Sequence, residues 1–295
     1  MKLGDDFTSF TIPIRYDVSI QGCQAGSGPP LVLLHGFPQT HLIWHKIAPR
    51  LAQHYKVIAL DLRGYGGSSK PSSDPSHKMY AKSSLAQDVV TVMDRLNHDK
   101  FYVCGHDRGA RVTHQLCVNY PDRVLKVMLL DIVPTLAMFE ATDQTAATAY
   151  WHWFFLIQPP PFPEQAMNAQ PELWAQKFMA LPGVKQEVFH ADALKAYTDL
   201  FRDQAGCHAM CEDYRAGATI DLDEQREDRK EGRKVKCDVY AIWGAKGLVG
   251  TKFDALEEWR KVCEGKVEGR AFECGHYIPE EKPEELLEQM LAWFK

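Results

Sequence analysis

An α/β fold, a mostly parallel sheet with helices on both faces, is predicted by three observations. Short continuous apolar runs recur along the chain, as buried parallel strands do. Segments of helical spacing separate them, so successive strands are joined by crossovers rather than hairpins. Polar residues able to do chemistry sit where the runs end: His35, Asp61, Asp107 and Asp131. Functional groups of open parallel sheets gather at those carboxyl ends.

Taken in order, Pro30–Leu34 is the first such run and ends at His35-Gly36-Phe37-Pro38. Tyr55–Leu60 is the second and ends at Asp61-Leu62-Arg63-Gly64. Ser83 to Leu96 has helical spacing and leads into the strand Phe101–Cys104. Gly105-His106-Asp107-Arg108-Gly109 follows, then a helical pattern from Ala110 to Asn119 and the strand Val124–Leu130. From 135 to 232 the character changes. Aromatics crowd in Tyr150–Phe155, prolines in Pro159–Pro163, and the remainder is amphipathic and helical, which reads as a helical cap inserted into the sheet domain. From 233 to 295 the first pattern returns: strand Cys237–Trp243, helix Asp254–Cys263, strand Val267–Cys274, loop Gly275-His276, closing helix Pro283–Phe294. The organisation expected is therefore core 1–134, cap 135–232, core 233–295.

Composition narrows the function classes. The net charge of −5 disfavours nucleic acid or an anionic membrane as partner. No apolar run reaches the ~20 residues that span a bilayer, and Met1–Phe10 lacks the basic-then-apolar pattern of a signal peptide. Eight scattered cysteines without CxxC or Cys/His metal spacing read as reduced thiols of a cytoplasmic protein, with no metal and no cofactor implied.

The stretch 105–109 carries the chemistry. Strand, glycine-flanked turn and helix are the layout of the nucleophile elbow of α/β-hydrolases. Asp107 stands where serine is usual. A carboxylate nucleophile suits displacement at an sp3 carbon, giving an ester with the enzyme. In that fold the acid and the histidine follow the nucleophile along the chain. His276, in the loop after the last strand, is the base. The strand end Trp243-Gly244-Ala245-Lys246-Gly247 offers no carboxylate, so Asp131 is left to orient it. The backbone N–H groups of Phe37 and Arg108 are the oxyanion donors expected.

The whole chain resembles the fluoroacetate (haloacetate) dehalogenases among the α/β-hydrolases. The resemblance rests on His35–His41, Asp61–Ser69, Gly105–Arg111, Tyr150–Trp153, Cys211–Gly217 and Gly275–Glu281. It implies that Arg108 and Arg111 grip the substrate carboxylate and that His152, Trp153 and Tyr214 cradle the departing halide. It also implies a small anionic haloacid as the binding partner and a homodimer. The alternative is an epoxide hydrolase with the same Asp nucleophile, in which Tyr150 and Tyr214 protonate the epoxide oxygen. Such enzymes usually carry tryptophan where this chain has Arg108.

Overall fold

The computed structural model describes residues 1–15, 17–181 and 184–295. Eight strands form one sheet: β1 Thr8–Arg15, β2 Val18–Ala25, β3 Pro30–Leu34, β4 Lys56–Leu60, β5 Phe101–His106, β6 Val124–Leu130, β7 Asp238–Gly244 and β8 Val267–Phe272. Their order is β1-β2-β4-β3-β5-β6-β7-β8. β3 to β8 pair in parallel, while β1 and β2 join antiparallel at one edge.

This antiparallel pair has no counterpart among the strands expected from sequence. In β1 only Ile12 is fully buried, so the edge strand lacks the apolar run that marks the interior ones.

The apolar runs of the central strands serve two faces at once. Val32, Leu34, Ile58, Leu60, Val103 and Val127 join one core with Leu85, Val89 and Met93 of helix Lys82–Arg95 and Val112 and Leu116 of helix Arg108–Asn119. Their neighbours Leu31, Leu33, Val57, Ala59 and Met128 join the other, with Leu286, Leu287 and Met290 of helix Pro283–Trp293. Alternation of side chains about a pleated strand requires this division. Each fully buried aliphatic side chain contributes roughly 1.5–3 kcal/mol.

Among the described residues, no strand lies between Leu130 and Asp238, where the chain forms a series of helices from Thr135–Glu140 to Ile220–Glu231. They include Trp151–Leu156, Pro171–Met179 and Gln204–Ala218, which contribute side chains to the cavity beside Asp107. No helix is long and apolar enough to cross a membrane among the described residues. All eight cysteines are free.

Helix Arg108–Asn119 meets the sheet at glycine. A Cβ on Gly109 would sit 2.6 Å from the Leu34 carbonyl oxygen and closer still to that of His35. Gly109→Val should therefore push the helix off β3 and destabilise the fold by about 1–3 kcal/mol, the usual range for overpacking. Thermal melts of the variant and the native protein check this; an unchanged midpoint would contradict the close approach.

Candidate active site

The sheet register lines up the residues that matter. Leu34 is level with Leu60 and Gly105, His106 with Leu130, and Leu130 with Ile242. The next residues extend the ladder by one step: the Asp107 N–H donates to the Leu130 carbonyl at 3.2 Å and the Asp131 N–H to the Ile242 carbonyl at 2.8 Å. Asp107 and Asp131 then both turn through left-handed backbone, at φ 46° and 56°. Such φ values are uncommon outside glycine and concentrate where surrounding structure over-determines them.

Asp107 does not cap its own helix; it makes no side-chain capping bond there. Its Oδ1 instead accepts from the Phe37 N–H at 2.9 Å, so one of the two expected oxyanion donors already faces the carboxylate. The other, the Arg108 N–H, belongs to the first helical residue, where no intrahelical acceptor exists. Asp107 Oδ2 lies 4.0 Å from His276 Nε2.

On the far side of the imidazole, His276 Nδ1 lies 2.6 Å from Asp131 Oδ2. Asp131 Oδ1 accepts from the Gly244 N–H at 2.8 Å. The elimination among strand ends thus leads to a carboxylate in contact with the histidine, and the strand end that lacks a carboxylate supplies an amide to hold it. With Nδ1–H donated to Asp131, Nε2 keeps its lone pair on the side of Asp107.

Electrostatics separate the three groups. Burial opposes ionisation of Asp107, but His276, Arg108, His106 and Arg111 outweigh it and hold the carboxyl well below its ordinary range. Burial also disfavours imidazolium at His276, but the Asp131 hydrogen bond and charge, then Asp107, raise its pKa above the usual 6.5.

The two arginines share one helix face and both are buried, Arg108 at 0% exposure. The Arg108 guanidinium carbon sits 3.4 Å from the Tyr214 ring centroid and 5.2 Å from that of Trp153. That of Arg111 is 4.8 Å from the Trp153 ring. Arg111 Nη1 donates to the Val133 carbonyl and the Thr135 hydroxyl, at 3.2 and 3.0 Å. Its Nε, and all three nitrogens of Arg108, have no hydrogen-bond partner. Asp213 Oδ2 stands 3.8 Å from Arg108 Nε, but that carboxylate is already bonded to Tyr65 and Lys82.

Asp107, Phe37, Tyr150, His152, Trp153, Tyr214 and His276 line one small cavity. Arg108 and Arg111 are packed against the faces of its Trp153 and Tyr214 walls. His152 is neutral, lowered to about 3 by burial, and its Nδ1 is unpartnered. A larger cleft lies elsewhere, between Val118, Leu136, Arg229 and Val262, but holds no nucleophile–base pair. Among the described residues no group of three or more His, Cys, Asp or Glu is placed to hold a metal.

Other strand-end residues do structural work. His35 is fully buried, with Nε2 accepting from the Leu62 N–H at 3.0 Å. Asp61 accepts from His41 Nδ1 and from the Gly67 N–H, at 2.8 and 2.9 Å.

Several supporting residues carry no signal specific enough to read from sequence. Glu281 accepts from the Gly275 and Tyr277 N–H groups, both at 2.8 Å, clamping the loop on either side of His276. His106 Nε2 donates to the His276 carbonyl at 2.9 Å. Phe178 and Leu181, which lie between the matched stretches Tyr150–Trp153 and Cys211–Gly217, and Tyr277 complete the cavity wall.

A family model described as alpha/beta hydrolase fold matches residues 29–283. A fluoroacetate dehalogenase of Burkholderia sp is 42% identical over 244 residues, 82% of this chain and 80% of that protein. A soluble epoxide hydrolase of Corynebacterium sp. (strain C12) is 32% identical over 276 residues, 92% of this chain and 91% of that one. The crystal structure of a putative alpha/beta hydrolase from Nostoc sp PCC 7120 superposes with a TM-score of 0.95 at 48% identity, covering 98% of both chains. With an eight-stranded sheet, an elbow bearing Asp107 and a histidine held by Asp131, the chain belongs to the α/β-hydrolase family.

Proposed function

We propose that this chain is a hydrolytic dehalogenase of short α-haloacids, converting fluoroacetate or chloroacetate to glycolate and halide. One observation carries the reading. Two buried guanidinium groups, four of whose nitrogens are unpartnered, stand beside an aspartate at the elbow. Buried N–H groups without acceptors are costly, and an anion bearing its reactive carbon next to a carboxylate would supply them. The similarity to the Burkholderia fluoroacetate dehalogenase supports the same substrate class.

In this reading Arg108 and Arg111 bind the haloacid carboxylate by charge-assisted hydrogen bonds. Asp107, ionised throughout the working pH range, attacks the α-carbon and the carbon–halogen bond breaks with inversion. Trp153, Tyr214 and His152 present N–H and O–H donors to the departing halide. His276 then takes a proton from water, which adds to the ester carbonyl. A single water oxygen can touch both His276 Nε2 and the reacting carboxyl across 4.0 Å. The Phe37 and Arg108 amides stabilise the oxyanion, and Asp131 stabilises the imidazolium. No step calls on a metal or cofactor. The cavity beside Asp107 is tight, which suits small acids.

The direct test is halide release from fluoroacetate and chloroacetate. Asp107→Asn should abolish it. His276→Asn should release about one halide per site and leave a glycolyl ester on the peptide carrying Asp107; unmodified protein in mass spectra after incubation would contradict the two-step scheme.

Removing either arginine should lower kcat/KM for chloroacetate about tenfold or more, because a hydrogen bond to a charged group is worth roughly 1.5–3 kcal/mol. Chloroacetamide, neutral and nearly isosteric, should lose far less. Equal losses for acid and amide in Arg108→Leu and Arg111→Leu would assign the arginines to structure.

The two half-reactions should separate with pH. Ester hydrolysis needs neutral His276, so its rate should fall as pH drops through a pKa above 6.5. The halide burst should persist well below that, since Asp107 stays ionised. Asp131→Asn should move the hydrolytic limb to lower pH. Rapid-quench measurement of burst and steady state from pH 5 to 9 distinguishes the two limbs; a burst that fades in parallel with turnover would refute the assignment.

A further inference from the structure

Lys82 is the first residue of helix Lys82–Arg95, and it is buried. A cation is doubly disfavoured there. Burial strips its hydration, and the positive end of the helix dipole repels it. Two carboxylates from the helices between β6 and β7 offset this. The Lys82 ammonium donates to Asp213 Oδ1 and lies 3.3 Å from Asp221 Oδ2. The Lys82 backbone N–H donates to Asp221 Oδ1 at 2.8 Å.

Asp213 stands between this lysine and Arg108. It is fully buried, and its Oδ2 accepts from the Tyr65 hydroxyl at 2.8 Å. Burial opposes its ionisation, but Lys82 and then Arg108 hold the carboxyl below its ordinary range. Arg108 Nε is 3.8 Å from Oδ2, too far for a hydrogen bond. Asp213 and Gly217, four apart on helix Gln204–Ala218, share the face turned to Arg108. A Cβ on Gly217 would lie 3.0 Å from Arg108 Nη1, and the Tyr214 ring covers the guanidinium at 3.4 Å from centroid to carbon.

We propose that Lys82 is a positioning residue for haloacid recognition: with Tyr65 it holds Asp213 off Arg108, which keeps the guanidinium N–H groups for the substrate carboxylate. This rests on the reading of Arg108 as a carboxylate-binding residue. The physical basis is competition. A buried carboxylate 3.8 Å from an arginine and held by no other cation would close on it in a two-pronged ion pair. Substrate and Asp213 would then contest the same donors. Lys82 and Tyr65 prevent this by taking one oxygen each, and all three Arg108 nitrogens are left unpartnered. The two cations suit this division. An ammonium is a point charge that binds a carboxylate oxygen from any side, whereas the planar fork of arginine matches an incoming carboxylate. Asp213 still balances the buried charge of Arg108 across the gap.

The test measures chloride release from chloroacetate by the full chain, with a melting midpoint for every variant. Lys82→Met should raise KM about tenfold or more, the worth of a hydrogen bond to a charged group, while kcat changes less than about threefold. Lys82→Arg should recover most of that KM. The deciding variant is Lys82→Met combined with Asp213→Asn. Removing the competing anion should return KM to the native value or below, whereas two merely structural losses would add. Tyr65→Phe loosens the other hold on Asp213 and should raise KM about two- to tenfold, as loss of one neutral hydrogen bond does. If Lys82→Met does not fold, the double variant and Tyr65→Phe decide. Native KM in Tyr65→Phe and in folded Lys82→Met overturns this inference and leaves the dehalogenase reading standing. A double variant with KM well above native, at or beyond that of Lys82→Met, also overturns it and assigns Lys82 to packing. No chloride release by the native protein overturns both readings.

Discussion

The contact on which the site depends is the approach of helix Arg108–Asn119 to strand β3 at Gly109. Because no side chain intervenes, the helix begins directly over the carbonyls of Leu34 and His35. The turn entering it must then be sharp, and Asp107 is carried into left-handed backbone at φ 46°. Strain of this kind is of order 1–3 kcal/mol, and the packing of Val112 and Leu116 into the sheet core offsets it. The result is a carboxylate held clear of both strand and helix. It faces the Phe37 amide on one side and His276 on the other.

A second constraint is charge. Buried ions persist where partners or aligned dipoles compensate them. At Asp131 the compensation is complete: Gly244 donates to one oxygen and His276 meets the other. At Arg108 it is partial. Asp213 lies 3.8 Å away, but its oxygens are taken by Tyr65 and Lys82, so it lends charge without consuming the guanidinium N–H groups. The Tyr214 face adds a weaker attraction. Arg111 has no carboxylate within salt-bridge distance among the described residues. This uneven compensation leaves buried guanidinium N–H groups without acceptors behind the cavity wall, in a protein that is itself negative.

Much of the architecture was legible because burial leaves a composition mark. β3, β4, β6 and β7 are mostly buried and mostly apolar, so each was readable within a residue of its ends. β1 and β2 were not: Thr8–Arg15 is an edge strand with little buried and no apolar run, and β2 interleaves its buried residues with polar Ser19, Gln21 and Gln24. The elbow was legible because its glycines are required by local geometry. The wall formed by Phe178, Leu181 and Tyr277 was not, since an aromatic in a helix or loop looks alike whether it faces a cavity or a core.

The sequence by itself determined the parallel sheet, the place of Asp107 at the elbow and the chain order that leaves Asp131 and His276 to follow it. These are local matters, written in periodicity, glycine spacing and strand ends. Only the tertiary structure decided that Asp131 touches His276 Nδ1, across 145 positions of chain. It alone decided that Glu281 clamps the histidine loop. It also decided that Asp213 stands beside Arg108 with its oxygens already engaged. Those relations depend on strand register and on how the helices between β6 and β7 settle over the sheet. Both are fixed by the summed packing of residues far apart in sequence, which no local pattern encodes.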